Sequence, residues 1–393
     1  MNDSKGLINS VRQQIDSLIS YCEKERWKGY DPYDGLNSPI YKWLFFDRNK
    51  YFRIIIIQFF KNFPINLRSL FFIKKEINAK ALAIFIKGLI IIYKDTNDKK
   101  YFDLINNLAD LLIKESMHGE IKLWGYSFDW QNRTFLIKKH LPNMVVTYFA
   151  LDSLLDLYYL TGKEYYKHIF INSCDTVIDK FLYKGEKEIY FNYVTNCNDL
   201  IHNVNLFGSS LMAKAYKITN EEKFLIISEA TLKTTVKYQE NDGSWFYGQK
   251  EKHHWIDSFH TCYNLLSLKD FMINTGKNTF ENNLISGLNY YLKNFFTDDF
   301  IIKYFNNKKY PIDIHCLTVG LITLIELEKY IMDKDIISNI YKFLIENFRS
   351  RSGFFYYRKG KFYKNRISYI RWNQAWSLLS LVKFYEYLSN QEK

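Results

Sequence analysis

The sequence predicts an all-α fold, an (α/α)6 toroid in which six inner helices are enclosed by outer helices. Apolar helices that contain small residues recur roughly every 55 to 60 residues, which is typical of a helical repeat array. Most of them are followed by a short turn and then by a more amphipathic helix. The 393 residues, 47% of them hydrophobic, suffice for one large core, so we predict a single toroid domain over residues 1–393.

The predicted inner helices begin with apolar runs at residues 81, 144, 205, 260, 315 and 372. Turn and capping residues after these runs, such as the TGK motifs at 161 and 275, predict tight joints. The predicted outer helices cover residues 101–115, 164–182, 221–238, 279–296 and 335–348. Helices that alternate in this way close most naturally into a ring, and every long loop that enters an inner helix then lies at the same end of it.

The loops that enter the inner helices combine aromatic residues with Asp, Asn, Gln and Arg. Their motifs are GYDPYDGLNS (29–38), WGYSFDWQNR (124–133), HNVN (202–205), NDGSWFYG (241–248), HHWIDSFHT (253–261), YPIDIHC (310–316) and GFFYYRKGKFYKNRISYIRWNQAW (353–376). Two of these motifs predict short β-hairpins, near residues 245 and 356. Flat rings stack on the apolar face of a sugar while polar groups bond its hydroxyls, so the loops predict a saccharide-binding cleft.

The predicted substrate-binding residues come from these loops. They are Tyr33, Asp34, Trp124, Trp130, Arg133, His202, Asn205, Trp245, Tyr247, Trp255, Arg366, Arg371, Trp372 and Gln374. Among them, Arg133, Arg366 and Arg371 can each hold a uronate or a phosphate with two parallel hydrogen bonds. An acidic saccharide is therefore the expected ligand.

Five residues are candidates for acid–base chemistry: Asp129, Asp257, His260, Asp313 and His315. Asp257 is the predicted N-cap of an inner helix and the principal carboxylate, and Asp313, before the next inner helix, is its predicted acidic partner. Glycoside hydrolysis needs a protonated carboxyl group and a second group that activates water or attacks the sugar. Epimerisation or elimination beside a uronate needs a base and an acid that flank C5, roles that suit the two histidines. Both reactions are open at this point.

The motifs GYDPYDG, WGYSFDWQ, DGSWFYG, WIDSFHT, YPIDIH and FFYYRKGKFYKNRISYIRWNQAW resemble those of an uncharacterised bacterial and archaeal family. Its members occur with surface-polysaccharide biosynthesis genes and often carry the label delta-aminolevulinic acid dehydratase. No Lys-centred Schiff-base motif or Cys-rich metal site supports that label here. The resemblance implies a six-hairpin glycosidase-like toroid and a capsule or O-antigen pathway. More distantly, the predicted fold resembles unsaturated glucuronyl hydrolases, glucuronyl C5-epimerases and N-acylglucosamine 2-epimerases.

We therefore expect a carbohydrate-active enzyme, hydrolase-like or a uronate epimerase or lyase, that acts on an acidic glycan or on a lipid- or nucleotide-linked sugar. One alternative is a non-catalytic glycan-binding or scaffold subunit of a polysaccharide assembly complex. Another is a zinc-dependent toroid enzyme of the prenyltransferase or cyclase type, with ligands among Asp257, His260, Cys262, His315 and Cys316. The two cysteines adjoin apolar helix positions and resemble small core side chains, so we predict neither a metal nor a cofactor.

The net charge of +12 favours anionic partners. No helix-turn-helix, RRM or zinc-finger spacing occurs, so nucleic acid is not an expected partner, whereas peripheral contact with an anionic membrane surface is. The apolar runs at 52–60 and 81–93 are too short to span a bilayer and are predicted to be buried helices. Five scattered cysteines and the absence of a signal-peptide pattern predict a cytoplasmic protein.

Overall fold

A computed structural model describes residues 2–44, 49–117, 121–131, 136–195 and 197–392. Its α-helices are α1 (Asn2–Lys24), α2 (Pro39–Trp43), α3 (Lys50–Asn62), α4 (Ala79–Thr96), α5 (Lys99–Lys114), α6 (Met144–Thr161), α7 (Glu164–Phe181), α8 (His202–Thr219), α9 (Glu222–Val236), α10 (Ser258–Thr275), α11 (Glu281–Phe295), α12 (Ile314–Glu326), α13 (Asp335–Phe348) and α14 (Trp376–Gln391). The chain is mostly helical, as the sequence predicted.

The inner helices form a closed ring in the order α4, α6, α8, α10, α12 and α14, and α14 packs against α4. Each has an outer partner: α5, α7, α9, α11 and α13 follow their inner helices along the chain, and α1 covers α14. The predicted (α/α)6 toroid is thus confirmed. The outer role of α1 was not predicted, and it follows from the buried side of that helix, which contains Val11, Ile15 and Leu18.

Capping residues fix both ends of the inner helices. The side chains of Asn78, Asn143, Asp257 and Asp313 each accept a hydrogen bond from a backbone amide in the first turn of α4, α6, α10 and α12. At the other end, α4, α6, α8 and α10 stop at Asn or Gly residues with φ between 52° and 71°. Such left-handed residues satisfy the last carbonyl groups and turn the chain back into the outer helix.

Short β-strands lie in the loops between the helices. They are β1 (Trp130–Gln131), β2 (Leu136–Ile137), β3 (Leu182–Lys184), β4 (Ile189–Phe191), β5 (Ile312–Asp313), β6 (Arg358–Lys359) and β7 (Lys364–Asn365). The hairpin predicted near residue 356 is β6–β7, to which β5 adds a third antiparallel strand.

The prediction of a β-hairpin near residue 245 is wrong, because residues 241–248 form a turn and an extended loop. The Trp245 side chain is buried in the core, where its Nε1 donates a hydrogen bond to the Thr235 carbonyl oxygen at 3.2 Å. The helix start predicted at residue 372 also differs, since a π-helical turn, Ile370–Ala375, precedes α14. The inner helix predicted to start at residue 205 begins three residues earlier, at His202.

The two apolar runs have different environments. The run at 81–93 is buried in α4, as predicted. The run at 52–60 lies in α3, which stands outside the ring. It buries Ile56, Ile57 and Phe60 but exposes Phe52, Ile55 and Phe59, so the prediction that it is buried holds for only one side of the helix. Within the described residues, none of the helices combines the length and the apolar character needed to cross a membrane.

A belt of ion pairs joins the inner helices, with its residues at the midpoint or in the C-terminal half of each helix. Lys87 of α4 contacts Asp152 of α6 at 2.6 Å, Lys214 of α8 contacts the same aspartate at 2.6 Å, and Lys214 also contacts Asp270 of α10 at 2.8 Å. The belt continues from Lys269 through Glu326 of α12 to Lys383 of α14. Although burial raises it, the pKa of Glu326 is lowered to about 2 by Lys383 and Lys269. The Glu326 carboxylate is therefore held in its charged form.

Replacing Asp152 with asparagine should lower the free energy of unfolding by about 3 kcal/mol, because two partly buried lysines lose a buried, charged partner. The matched control is Asp156→Asn, which removes a second partner of Lys87 from the same helix. The Asp156 side chain is 37% exposed against 8% for Asp152, so the control should cost less than about 1 kcal/mol.

Urea denaturation of the three proteins measures both changes. The two lysines hold the pKa of Asp152 below its ordinary value even though burial opposes them. The stabilisation is therefore fully present above an ordinary aspartate pKa of about 4 and is lost as the pH falls further. Equal losses in the two variants would contradict this account of the belt.

Candidate active site

The N-terminal ends of the inner helices surround a cavity of about 820 Å³, a size that suits a small saccharide. Residues at or just before the first turn of each inner helix line it: Lys80, Val145, Asn203, Phe259, His315 and Trp372. The remaining wall comes from α3 and from the loops. All six inner helices therefore direct the positive ends of their dipoles toward this space.

Nine of the predicted site residues line the cavity: Tyr33, Trp130, Tyr247, Trp255, Asp257, His260, His315, Arg371 and Trp372. They belong to six of the seven predicted motifs, which the ring brings together at one end. Arg133 lies outside the described residues.

Asp257 and His260 form a directly bonded pair at the start of α10. Asp257 Oδ1 accepts from the His260 backbone amide at 3.1 Å, and Oδ2 accepts from His260 Nδ1 at 2.7 Å and from Trp255 Nε1 at 3.0 Å. Because a carboxylate can only accept, the proton of the neutral imidazole lies on Nδ1, and Nε2 is left as a base. One residue thus caps the helix and also orients a histidine.

Aromatic rings hold the His260 imidazole in place. The ring centroid of Tyr247 lies 4.5 Å from that of His260, and the centroid of Phe259 lies 4.1 Å from it. Tyr247 also stacks on Trp255, with centroids 4.6 Å apart and planes 16° apart. The imidazole is therefore held between aromatic rings, on a wall that presents flat surfaces to the cavity.

His315 occupies the neighbouring position at the start of α12. Its Nε2 is 2.8 Å from the Tyr263 hydroxyl, and its ring stacks on Trp372 with centroids 4.2 Å apart. Burial lowers the pKa of His315 well below its usual value, and Lys80 and Arg371 lower it further. His315 is therefore a neutral imidazole that is hydrogen-bonded to a tyrosine of the same cavity.

Asp313 does not reach the cavity, contrary to its predicted role as the acidic partner of Asp257. It has no exposed surface, and its Oδ2 accepts from Arg358 Nε at 2.6 Å while Oδ1 accepts from Trp372 Nε1 at 2.8 Å. Asp313 and Arg358 are paired across strands β5 and β6. The carboxylate therefore fixes the floor of the cavity and holds Trp372 in place beneath His315.

Two other predicted acidic residues also lie outside the lining. Asp34 is buried against Arg68, whose Nε donates to its Oδ1 at 2.7 Å. Burial raises the pKa of Asp34 to about 6, although Arg68 opposes the shift. Asp129 accepts from the Lys139 backbone amide at 2.7 Å and pairs with Lys138. These carboxylates organise loops instead of facing the cavity.

The remaining predicted ligands are engaged with the backbone or with core side chains. Trp124 Nε1 donates to the Leu112 carbonyl oxygen at 2.7 Å, and Gln374 bonds both backbone groups of Phe355. The side chains of His202 and Asn205 form hydrogen bonds with the Thr235 hydroxyl between α8 and α9. Trp245 bonds the carbonyl oxygen of the same residue. Arg366 is exposed, with its guanidinium 5.7 Å from the Tyr356 ring centroid. Apart from the exposed Arg366, their polar groups are thus already satisfied by the fold.

Sequence reasoning missed Lys80, the second residue of α4. It is buried, and its Nζ lies 4.1 Å from the ring centroid of Phe149, 5.4 Å from that of Tyr263 and 5.6 Å from that of Trp376. Burial lowers its pKa well below the usual value, and Arg371 adds to the effect. The available signal was a lysine at the start of an otherwise apolar inner helix.

Two further features of the lining were missed. Arg371 forms a bidentate pair with Asp31, with distances of 2.6 and 2.8 Å, so its charge is already balanced. The Oδ1 atom of Asn203 is buried and has no hydrogen-bond partner in the described part of the chain. Since an unpaired buried acceptor is costly, this oxygen is suited to accept a bond from a ligand hydroxyl.

The residues suggested as zinc ligands do not converge. Across the described ranges, no three His, Cys, Asp or Glu side chains lie close enough together to hold a metal ion. Cys262 and Cys316 are fully buried on the apolar sides of α10 and α12. Their placement is that of small core side chains.

No family model and no curated protein matches the sequence. Solved structures do match the fold. Cellobiose 2-epimerase from Spirochaeta thermophila superposes with a TM-score of 0.63 at 9% identity, over 81% of this chain and 87% of that one. A family 105 glycoside hydrolase from C. acetobutylicum gives 0.58 at 18% identity, over 78% and 93%.

An unsaturated glucuronyl hydrolase specific for heparin gives a TM-score of 0.59 at 13% identity, over 80% of this chain and 87% of that one. At such identities the likeness shows the architecture only. The protein thus has the six-hairpin, glycosidase-like toroid fold that these sugar epimerases and glycoside hydrolases share.

Proposed function

We propose that this protein is a carbohydrate-active enzyme that moves a proton at a carbon atom of an acidic saccharide, with His260 as the base. The observation that carries the proposal is the pair of Asp257 and His260. Asp257 fixes the imidazole so that Nε2 is its free basic atom, in a cavity of saccharide size. A base oriented by a third group is the usual arrangement in general acid–base catalysis.

Epimerisation or elimination fits this cavity better than glycoside hydrolysis. Hydrolysis usually requires two carboxyl groups on opposite sides of the scissile bond. The carboxylates in the described lining are Asp257 and Glu251. Asp257 already accepts three hydrogen bonds, and Glu251 is exposed. The imidazoles are the better placed proton carriers.

In the proposed reaction, His260 Nε2 takes the proton from the carbon next to a carboxylate or carbonyl group. The negative charge that develops is stabilised by the six helix N-termini and by Lys80. In an epimerisation, the Tyr263 hydroxyl, which is hydrogen-bonded to His315 on the adjacent helix, returns a proton to that carbon. Water then takes the proton from His260 and restores the one on Tyr263. In an elimination, the same hydroxyl protonates the leaving oxygen instead. Asn203 Oδ1 accepts a hydrogen bond from a sugar hydroxyl, and Trp255 and Tyr247 provide flat surfaces on which the sugar ring packs.

Lys80 supports an acidic substrate. Arg371 is balanced by Asp31, whereas no carboxylate of the described residues forms an ion pair with Lys80. A carboxylate supplied by the substrate would complete that pair in a low-dielectric site, where such a contact is strong. The preferred ligand is therefore a uronate or a related acidic sugar.

The wider assignment rests on the sequence motifs. We propose that the saccharide belongs to surface-polysaccharide biosynthesis and that residues 1–393 act as one toroid domain. All five cysteines are unpaired, which supports a reducing, cytoplasmic location.

Asp257→Asn should abolish proton transfer while leaving the fold nearly intact. The amide still accepts from the His260 backbone, so the cap persists. Its NH2 group opposes Nδ1–H, however, so the proton shifts to Nε2 and the base is lost. The rate of deuterium incorporation into glucuronate-containing saccharides in heavy water, followed by NMR, should fall on the order of 10²-fold or more.

The matched control is Asn143→Ala, which removes the N-cap of α6 outside the cavity. It should cost about 1 kcal/mol of stability and keep the exchange rate. Full activity of Asp257→Asn would contradict the proposal. Turnover without deuterium incorporation in the wild-type protein would assign hydrolysis instead, and binding without turnover would assign a glycan-binding protein.

Lys80→Met should weaken the binding of an acidic saccharide on the order of 10²-fold and leave a neutral analogue within about twofold, because only the acidic ligand loses an ion pair. An anion that binds Lys80 favours its charged form, so it raises the pKa of a lysine whose pKa is low in the empty cavity. Binding should therefore take up a proton and tighten as the pH falls.

Isothermal titration in two buffers of different ionisation enthalpy measures both the affinity and the proton uptake. The control is Lys61→Met, which removes a partly exposed cation of the same cavity, 4.8 Å from the Tyr33 ring centroid. It should change the affinity by only a few fold, because solvent screens it. Equal losses for acidic and neutral ligands in Lys80→Met would count against the assignment.

A further inference from the structure

Exposed apolar side chains are concentrated in one part of the chain. Of the nineteen large apolar side chains that are exposed among the described residues, nine lie between residues 43 and 72. Trp43 is 78% exposed, Leu70 69% and Phe72 65%. Single exposed apolar residues are common on proteins, but a cluster of this kind marks an interaction surface.

Helix α3 contributes the centre of this surface. Tyr51, Phe52, Ile55 and Phe59 are exposed, and their spacing places them on one side of the helix. The opposite side is also apolar, and it is buried through Ile56, Ile57 and Phe60. The helix therefore has its core contacts and still presents a second apolar side to solvent.

The exposed segments are held together from beneath. Tyr41 of α2 stacks on Phe71, with ring centroids 5.6 Å apart, and Phe60 of α3 contacts the same ring at 5.3 Å. The Ser38 hydroxyl donates to the Phe71 carbonyl oxygen at 2.8 Å. Helix α2, helix α3 and the segment at 65–72 therefore form one unit, whose outward apolar side chains we call the α3 face.

Among the described residues that form the α3 face and its border, the charges have one sign. Residues 39–44 and 49–75 contain seven lysines and arginines and no aspartate or glutamate. Arg68 is buried with Asp34, and Lys75 pairs with Glu25, but Lys42 and Lys74 are exposed beside the apolar side chains. Aromatic and aliphatic residues bordered by basic ones are typical of helices that lie on anionic bilayers.

We propose that the α3 face docks onto the surface of an anionic lipid bilayer, with its aromatic side chains at the level of the headgroups. A second copy of the chain suits the surface less well, because a symmetric dimer would bring two basic faces together. The proposal does not depend on the reaction catalysed in the cavity.

Docking would also place the cavity close to the lipid. Ile54, Gln58 and Lys61 of α3 line the cavity, so a single helix, about 10 Å across, separates the α3 face from the saccharide site. A saccharide carried on a membrane lipid could reach the site from such a position.

Vesicle flotation of the full-length protein, without saccharide, tests the proposal. The wild-type protein should bind vesicles of equal parts phosphatidylglycerol and phosphatidylcholine, and high salt should weaken the binding. Phe52→Ser combined with Ile55→Ser should reduce the bound fraction at least about tenfold, because two apolar side chains no longer enter the bilayer. The melting temperature of this variant should stay close to that of wild type, since both side chains are exposed.

The matched control combines Ile226→Ser with Ile273→Ser, which changes two residues that are 64% and 57% exposed elsewhere on the surface. It should bind vesicles as the wild-type protein does. The proposal fails if the wild-type protein does not bind anionic vesicles, or if the control loses binding equally. It also fails if light scattering shows a dimer that the Phe52→Ser, Ile55→Ser variant dissociates, since the α3 face would then be an interface between copies.

Discussion

The backbone amides in the first turn of an inner helix have no acceptor within the helix and need one from elsewhere. The residues that supply these acceptors determine the structure of the cavity end of the toroid. Two of these residues are Asp257 and Asp313, which cap α10 and α12. Each also accepts a hydrogen bond from an indole N–H, of Trp255 and Trp372 respectively. The contacts that begin these helices therefore also position the aromatic surfaces of the cavity.

Besides the backbone amide and the indole, each aspartate has one further side-chain partner, and the two partners differ. This difference gives Asp313 a structural role and Asp257 a chemical one. Asp313 is paired with Arg358, which is charged at every physiological pH, so its own charge is permanently balanced. Asp257 is paired with the imidazole of His260, the group that carries the proton in the proposed reaction. A similar division separates the ion-pair belt from the cavity. The cations of the belt have carboxylate partners, whereas Lys80 at the cavity lies among aromatic rings.

The sequence predicted the toroid because apolar periodicity and turn residues are local signals. It did not predict which polar residues face the cavity, because that depends on partners far away in the chain. Asp34 is neutralised by Arg68, and Asp313 by an arginine 45 positions later. The cavity position of Lys80 was missed for the same reason. A single lysine beside an apolar run usually indicates a surface position, and its burial depends on helices that are distant in the sequence. The 241–248 motif has the turn residues of a hairpin, but burial of Trp245 outweighed them.

The proposed reaction begins when His260, oriented by Asp257, removes a proton from an acidic saccharide. A crystal structure of the protein with a bound uronic-acid oligosaccharide shows whether the substrate lies where this step requires. The carbon next to the uronate carboxylate should lie at about 3 to 3.5 Å from His260 Nε2, with the carboxylate on Lys80. A saccharide bound away from His260, or a carboxylate held by other cations while Lys80 stays among its aromatic neighbours, would contradict the proposed reaction.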